Sequence, residues 1–359
     1  MSETEFLNIR KDGRAGRITL TRPQALNALS QSMCAEIAAT IDAWATDETV
    51  EIVILDATGE RAFCAGGDIA EIYEAGRAGD MEIGARYWAD EYRMNAKLFH
   101  FPRPVISFMQ GYTMGGGVGL GCHASHRIVG DSSILAMPEV GIGLVPDVGG
   151  TLILSRAQGR LGEYLGVTGA RMTGADAIYA GFADYYIPEA DWPTLITQLC
   201  ESANYDLVDQ AAAGHSSPVA PLAALQAEID HHFGGETLRD ILNALEFSDS
   251  DFAKSTLAEM GKKSPLSMAC TVELVHRARL RDTIENALEQ EHRFTSRAVE
   301  KADFLEGVRA QNLMTDPEHP NELLVGLNRD HEAIRCVGLY LQVLGTSAWF
   351  IRIKGTKGD

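Results

Sequence analysis

The order of apolar and polar positions changes period several times along the chain. "EFLNIRKDGRAGRITLTRP" alternates in two short runs about Asp12-Gly13, a turn-forming pair, and predicts two strands joined by a turn. In "SQSMCAEIAATIDAWATDETV", Met33, Ile37, Ile41 and Trp44 recur at helical spacing, and Ser30 stands where an N-cap belongs. "VEIVILDATG" is a β-branched run closed by a turn, the pattern of a buried strand. "RAFCAGGDIAEIYEAGRAG" passes through Gly66-Gly67 into a helix that Asp68 can cap. The unit recurs in "RPVISFMQGYTMGGGVGLGCHASHRIV", which reads as a strand, a glycine-rich turn and one helix carrying His123 and His126. "SSILAMPEV" predicts a third short strand opening a loop, and "DVGGTLILSRAQG" begins another helix.

Strands alternating with helices predict an α/β architecture with largely parallel strands. From about Asp191 the pattern turns helical, through "DWPTLITQLCESA", "PLAALQAEIDHHF", "TLRDILNALEF" and "SPLSMACTVELVHRARL". "DTIENALEQEHRFTSRAVEKADFLEGVRA" predicts one long helical stretch. The expected organisation is an α/β core over 1–190, a helical region over 191–310 and a tail over 311–359. The most linker-like segment is "AAAGHSSPVAP", residues 211–221. No solenoid-period repeat is present.

Composition narrows the partners. The 359 residues are 45% apolar, which allows a substantial core. Lys and Arg total 31 against 50 Asp and Glu, a net charge of −19 that repels nucleic acid and anionic membranes. No apolar run approaches the roughly 20 residues of a membrane helix. The six cysteines include no C-x-x-C pair, and no Cys/His cluster has zinc-like spacing, so a reducing compartment and no metal are expected. His123 and His126 lie three apart with no third ligand near in sequence. The start, "MSETEFLNIRKDGRAG", carries neither a signal core nor an Arg/Ser-rich transit pattern. A cytoplasmic protein is expected, or a mitochondrial matrix protein if the source is eukaryotic.

Two glycine clusters, Gly66-Gly67 and Gly115-Gly116-Gly117, each follow a strand and open a helix. Helix N-termini expose unpaired N–H groups, and glycine admits close approach, so such loops can hold a phosphate or an oxyanion. The standard phosphate motifs fail. "GGGVGLGCH" lacks the lysine of a Walker loop, and counting G-x-G-x-x-G from Gly115, Gly117 or Gly119 ends on Leu120, Cys122 or Ala124. There is no G-x-S-x-G elbow. Two loops of the same grammar favour an oxyanion-type site at least as much as tight packing.

"MPEVGIGLVPDVGG" places Glu139 and Asp147, each directly after a proline, among glycines and apolar residues. By local reading Glu139 is a capping or ion-paired acid, and Asp147 caps the helix that "DVGG" opens. Eight residues can span about 27 Å when extended, so spacing does not force the two together.

"TRPQALNAL", "RAFCAGGDI", "GYTMGGGVGLGCHASHRIV" and "LAMPEVGIGLVPDVGG", in this order, resemble the crotonase (enoyl-CoA hydratase/isomerase) superfamily. The nearest branch is the one that hydrolyses short 3-hydroxyacyl-CoA thioesters, 3-hydroxyisobutyryl-CoA in particular. The resemblance runs from about Leu7 to Gln311. It implies a crotonase-like ββα spiral core and an acyl-CoA substrate, with no cofactor beyond the CoA that the substrate carries. It implies a thioester carbonyl polarised by the backbone N–H groups of Gly67 and Gly116, each such donor contributing about 3 kcal/mol. It places CoA contacts at Gln24, Ala25 and Leu26.

Hydratases carry a first glutamate two residues after the glycine triplet. That position here is Gly119, which argues against ordinary hydration. The second hydratase glutamate matches Glu139. The hydrolase branch adds an aspartate matching Asp147 and a glutamate in an "EY" pair matching Glu91-Tyr92. By local reading Glu91 lies in the charge-rich "WADEYRMNAKL", whose acids face solvent, so its role rests on the resemblance. Isomerisation or hydration within the same superfamily, and a non-catalytic CoA-binding homologue, stay as alternatives. The family also allows a homo-oligomer. The tail after "EGVRA" departs from the family's ending.

Overall fold

The computed structural model describes residues 6–216 and 218–315. Strands β1 (Leu7–Asp12) and β2 (Ala15–Leu20) form the expected hairpin, with Leu7 opposite Leu20. Then follow α1 (Gln31–Ala45), β3 (Ile52–Ala57), β4 (Ala62–Cys64), α2 (Ile69–Arg77), α3 (Ile83–Phe99), β5 (Val105–Met109) and β6 (Tyr112–Met114). After them come α4 (Gly116–Gly121), β7 (His126–Val129), β8 (Ile134–Ala136), α5 (Gly150–Arg156), α6 (Leu161–Thr168), β9 (Met172–Thr173), α7 (Gly174–Tyr179) and β10 (Tyr185–Tyr186).

From β3 to β8 the strands alternate between two sheets. One has the order β1-β2-β3-β5-β7-β10, the other β4-β6-β8-β9. Successive turns of chain thus lay one strand in each sheet, parallel to the strand before, before crossing to the next turn. This is a ββα spiral. The three-residue strands β4, β6 and β8 are too short for alternation to register, so the second sheet was only partly legible in the sequence.

β3 is buried on both faces, as a strand inside a parallel sheet must be. Val53 and Leu55 enter the main core with Met33, Ile37 and Met109. Ile52 and Ile54 point the other way, to a smaller cluster with Ile106, Phe108, Trp192 and Leu199.

Everything regular after β10, among the described residues, is helical: α8 (Trp192–Ser202), α9 (Asp206–Ala213), α10 (Pro221–His232), α11 (Leu238–Glu246), α12 (Asp251–Met260), α13 (Pro265–Leu280), α14 (Ile284–Lys301) and α15 (Phe304–Thr315). Leu266, Phe294 and Phe304 of these helices join the same buried cluster as Leu7 and Ile18. Glu163 on α6, fully buried, pairs with Arg279 and His276 of α13 and with Arg160. Burial would raise its carboxyl, but bonds from His276 and Arg279 bring it down to about 2. No helix among the described residues is long and apolar enough to cross a membrane.

Four local expectations are corrected. His123 and His126 do not share a helix: α4 stops at Gly121, and His126 opens β7. Asp68 stands at the N-cap of α2 but makes no capping bond, because Arg22 takes its carboxylate at 2.7 Å. The long helical stretch breaks between α14 and α15, where Asp303 accepts from the Ser264 hydroxyl at 2.6 Å. Asp147 does not cap α5, whose N-cap is Gly149. The tail from residue 316, Cys336 included, lies outside the described residues. Cys34, Cys64, Cys122, Cys200 and Cys270 are buried and free.

Candidate active site

Helix α3 organises the site. It buries Tyr87, Glu91, Tyr92, Met94 and Asn95 along its inner face. The Tyr87 hydroxyl donates to the Leu29 carbonyl at 2.6 Å. Leu29 in turn pairs with the Gly66-Gly67 loop: its N–H donates to Gly66 O at 2.9 Å, and Asp68 N–H donates to Leu29 O at 2.7 Å. A Cβ on Gly67 would lie 2.7 Å from the Tyr87 oxygen, so only glycine fits there.

The second glycine loop meets the first. A Cβ on Gly116 would stand 3.1 Å from the Gly67 nitrogen. Gly116 is the first residue of α4, so its N–H has no intrahelical acceptor. Among the described residues neither Gly67 N–H nor Gly116 N–H is bonded to any acceptor. Two free donors therefore converge, from loops far apart in sequence. The turn holding Gln24, Ala25 and Leu26 lies against the first loop, where Ala65 N–H donates to Leu26 O at 3.0 Å; Gln24 is exposed.

Carboxylates close over these donors. Glu91 Oε1 abuts the Gly116 position so tightly that any side chain there would clash with it. A Cβ on Gly115 would lie 2.8 Å from Glu139 Oε1. Glu91 Oε1 and Glu139 Oε2 are buried without hydrogen-bond partners. Asp147 is buried too, and its Oδ2 accepts from the Tyr92 hydroxyl at 2.7 Å. The Tyr92 oxygen also lies 3.1 Å from Thr295 Oγ1 on α14.

Among the described residues no Lys, Arg or His pairs with these carboxylates, and burial sets their electrostatics. Desolvation, then the charge of Asp147, pushes Glu91 well above the usual carboxyl range. The same two causes raise Glu139, with smaller contributions from Glu291 and Glu91. Desolvation lifts Asp147 to about 7, against the Tyr92 hydrogen bond, which lowers it. These acids share few charges near neutrality, as coupled groups in an apolar pocket do.

The loop carrying Asp147 is strained and held from several sides. Val148 has φ +54°, rare for a β-branched residue. Its carbonyl accepts from His123 Nε2 at 2.7 Å. Burial lowers His123 to about 4, so the ring is neutral, and the carbonyl acceptor requires the proton on Nε2. Glu291 of α14 takes the next N–H groups: Gly149 N–H donates to Oε2 at 2.8 Å and Thr151 N–H to Oε1 at 3.0 Å.

Gly119 is as informative as the acids. A Cβ there would fall 2.6 Å from Val148 Cβ and 2.8 Å from Asn95 Nδ2. The space that a longer side chain would need is filled. The site thus brings together Gly67, Gly116, Glu91, Glu139 and Asp147. Sequence reasoning missed Glu291 and Thr295, which sit in a helix of mixed charge with no local signal. It also passed over Tyr92, for which the only signal was its place beside Glu91. Among the described residues no group of His, Cys, Asp and Glu could hold a metal ion.

A ββα spiral whose two glycine loops present free N–H groups beneath buried carboxylates is the architecture of a thioester-handling enzyme fold, and the chain belongs to the enoyl-CoA hydratase/isomerase family, whose model matches residues 15–321. Among curated relatives it is similar to the mitochondrial 3-hydroxyisobutyryl-CoA hydrolase of Danio rerio, at 35% identity over 84% of this chain and 80% of that one. Among solved structures it is similar to an enoyl-CoA hydratase from Rhodobacter sphaeroides 2.4.1, at 49% identity and TM-score 0.84 over 95% of this chain and 98% of that one. It is also similar to a carnitinyl-CoA dehydratase from Mycobacterium thermoresistibile, at 38% identity and TM-score 0.86 over 96% and 98% of the two chains.

Proposed function

We propose that the protein hydrolyses a short 3-hydroxyacyl-CoA thioester, 3-hydroxyisobutyryl-CoA foremost, to the free hydroxy acid and CoA, a step of valine degradation. One observation carries this reading: Glu139 and Asp147 converge with Glu91 over the free N–H groups of Gly67 and Gly116, while Gly119 leaves no room for a second hydratase acid.

The thioester oxygen accepts from Gly67 N–H and Gly116 N–H, which form an oxyanion hole and stabilise the charge that grows there. Glu139, in its ionised form, either attacks the carbonyl carbon to give a mixed anhydride or takes a proton from the attacking water. In the first route the C–S bond breaks as the tetrahedral adduct collapses, and water then cleaves the anhydride. In the second, water adds directly and the thiolate leaves from that adduct. Asp147 and Glu91 orient the 3-hydroxyl and the water. Gln24, Ala25 and Leu26 border the CoA chain. No cofactor is needed beyond the CoA of the substrate, and neither nucleic acid nor a membrane is a partner. The buried free cysteines support a reducing setting, the cytoplasm, or the mitochondrial matrix in a eukaryotic cell. A homo-oligomer is part of the same reading, and mass measurement in solution tests it.

Hydration is the second reading, favoured by the enoyl-CoA hydratase from Rhodobacter sphaeroides. Thiol release from 3-hydroxyisobutyryl-CoA, measured beside hydration and isomerisation of enoyl-CoA esters, separates them. Rapid enoyl turnover without thiol release sinks the hydrolase reading.

A further inference from the structure

Glu291 is a fully buried carboxylate that the mechanism above does not use. It reaches from α14 across to the loop carrying Asp147. Its Oε2 accepts from Gly149 N–H at 2.8 Å, and its Oε1 accepts from both the N–H and the hydroxyl of Thr151. Those N–H groups begin α5, a position that Asp147 or a local residue would ordinarily cap. The acid that does so comes from 142 residues away. One turn further along α14, Thr295 meets the Tyr92 hydroxyl, the other support of Asp147. Helix α14 therefore touches Asp147's surroundings on both sides of the strained Val148.

We propose that Glu291 is a positioning residue for the reaction: from the helical region it fixes the loop 147–151 and hence the reach of Asp147 toward the substrate. This rests on the hydrolase reading of the site. A carboxylate suits the task because it accepts several bonds at once, and a glutamine in the same place offers one oxygen and one N–H. That N–H would face a backbone donor.

No arginine or lysine pairs with Glu291 among the described residues. The titratable groups that face it are Asp147 and Glu139 from the loop side and the Tyr92 hydroxyl from α3. Desolvation raises its own carboxyl to about 8, against the bonds from Thr151 and Gly149. Its charge also acts on Glu139, raising it.

The test uses the full chain and the variant E291Q, with thiol release from 3-hydroxyisobutyryl-CoA as readout. kcat is expected to fall on the order of 10- to 100-fold and KM to change less than threefold. A role in stability alone predicts a changed melting temperature with wild-type kcat, and that result overturns the proposal. Should E291Q fail to fold, Thr151→Ala removes the hydroxyl donor and leaves the backbone bonds. A kcat loss of about 3- to 10-fold then supports the proposal, and wild-type kcat overturns it. The two readings fail separately. Wild type that hydrates crotonyl-CoA but releases no thiol overturns the hydrolase reading, and the E291Q effect is then read on the hydration rate, where an unchanged kcat overturns the role of Glu291 as well.

Discussion

Tyr92 holds Asp147 by a 2.7 Å hydrogen bond that spans 55 residues of sequence. The donor is the direct neighbour of Glu91, so one turn of α3 both contributes a carboxylate and steadies another. Removing the hydroxyl should show this. Tyr92→Phe leaves Asp147 Oδ2 without its donor, a loss of about 1–3 kcal/mol, or roughly 5- to 150-fold in kcat/KM. The bond lowers Asp147, so its loss lets Asp147 titrate higher, and any limb governed by Asp147 moves up in pH. Steady-state rates across pH check both points, and a variant matching wild type in each would remove the bond from the mechanism.

The pH–rate profile follows from the raised carboxyls. Glu139 acts only when ionised, and burial and Asp147 raise it well above its ordinary 4.5. kcat/KM for thiol release should therefore still be climbing at pH values where an ordinary carboxylate would already be on its plateau. Glu139→Gln should abolish turnover while retaining CoA binding by calorimetry. Full activity in that variant would displace Glu139 from the centre of the mechanism.

Stability should run the opposite way. Glu91, Glu139, Asp147 and Glu291 all bind protons more tightly folded than unfolded, with Asp147 at about 7 and Glu291 at about 8. Their contribution is full below pH about 4 and is lost as pH rises through those values. The ligand-free melting temperature should fall from about pH 5 to about pH 8.5. Asp147→Asn should flatten that slope and melt higher than wild type at pH 8, although it impairs catalysis. Glu163, held at about 2, has the reverse sign: its contribution is present above 4.5 and fades in strong acid. Melting curves at several pH values decide the matter. A wild-type slope retained in D147N would be the contrary result.

Restoring the missing hydratase acid should fail. Gly119→Glu drives a side chain into Val148 and Asn95, and costs about 1–3 kcal/mol from overpacking alone. The expected variant is less stable and gains no hydration of crotonyl-CoA. A stable G119E with new hydratase activity would show that the space opens after all.

Much of the frame was legible. Ser30 caps α1 as its position implies, accepting from Met33 N–H at 3.3 Å, because an N-cap is a local device. The hairpin at Asp12-Gly13 is equally local. The site was legible only in part, because its bonds are long-range. Glu91 looks like a solvated acid in its own helix, yet it is 2% exposed, since α1 and α14 cover α3. Asp68 has the right residue type for a cap and loses that role to Arg22, 46 positions away. Glu291 takes the cap that Asp147 would locally claim. A cap made across 140 residues leaves no trace in spacing.

Tyr87 and Glu91 stand one turn apart on α3, the first steadying the loop of Gly67, the second lying against Gly116. The separation between them is thus set by helix pitch, about 5–6 Å for such a pair, and not by either loop. A tilt of α3 shifts both together and leaves their spacing alone. The enzyme carries an internal ruler: α3 holds the hydroxyl that steadies one glycine loop and the acid that lies against the other at one fixed spacing.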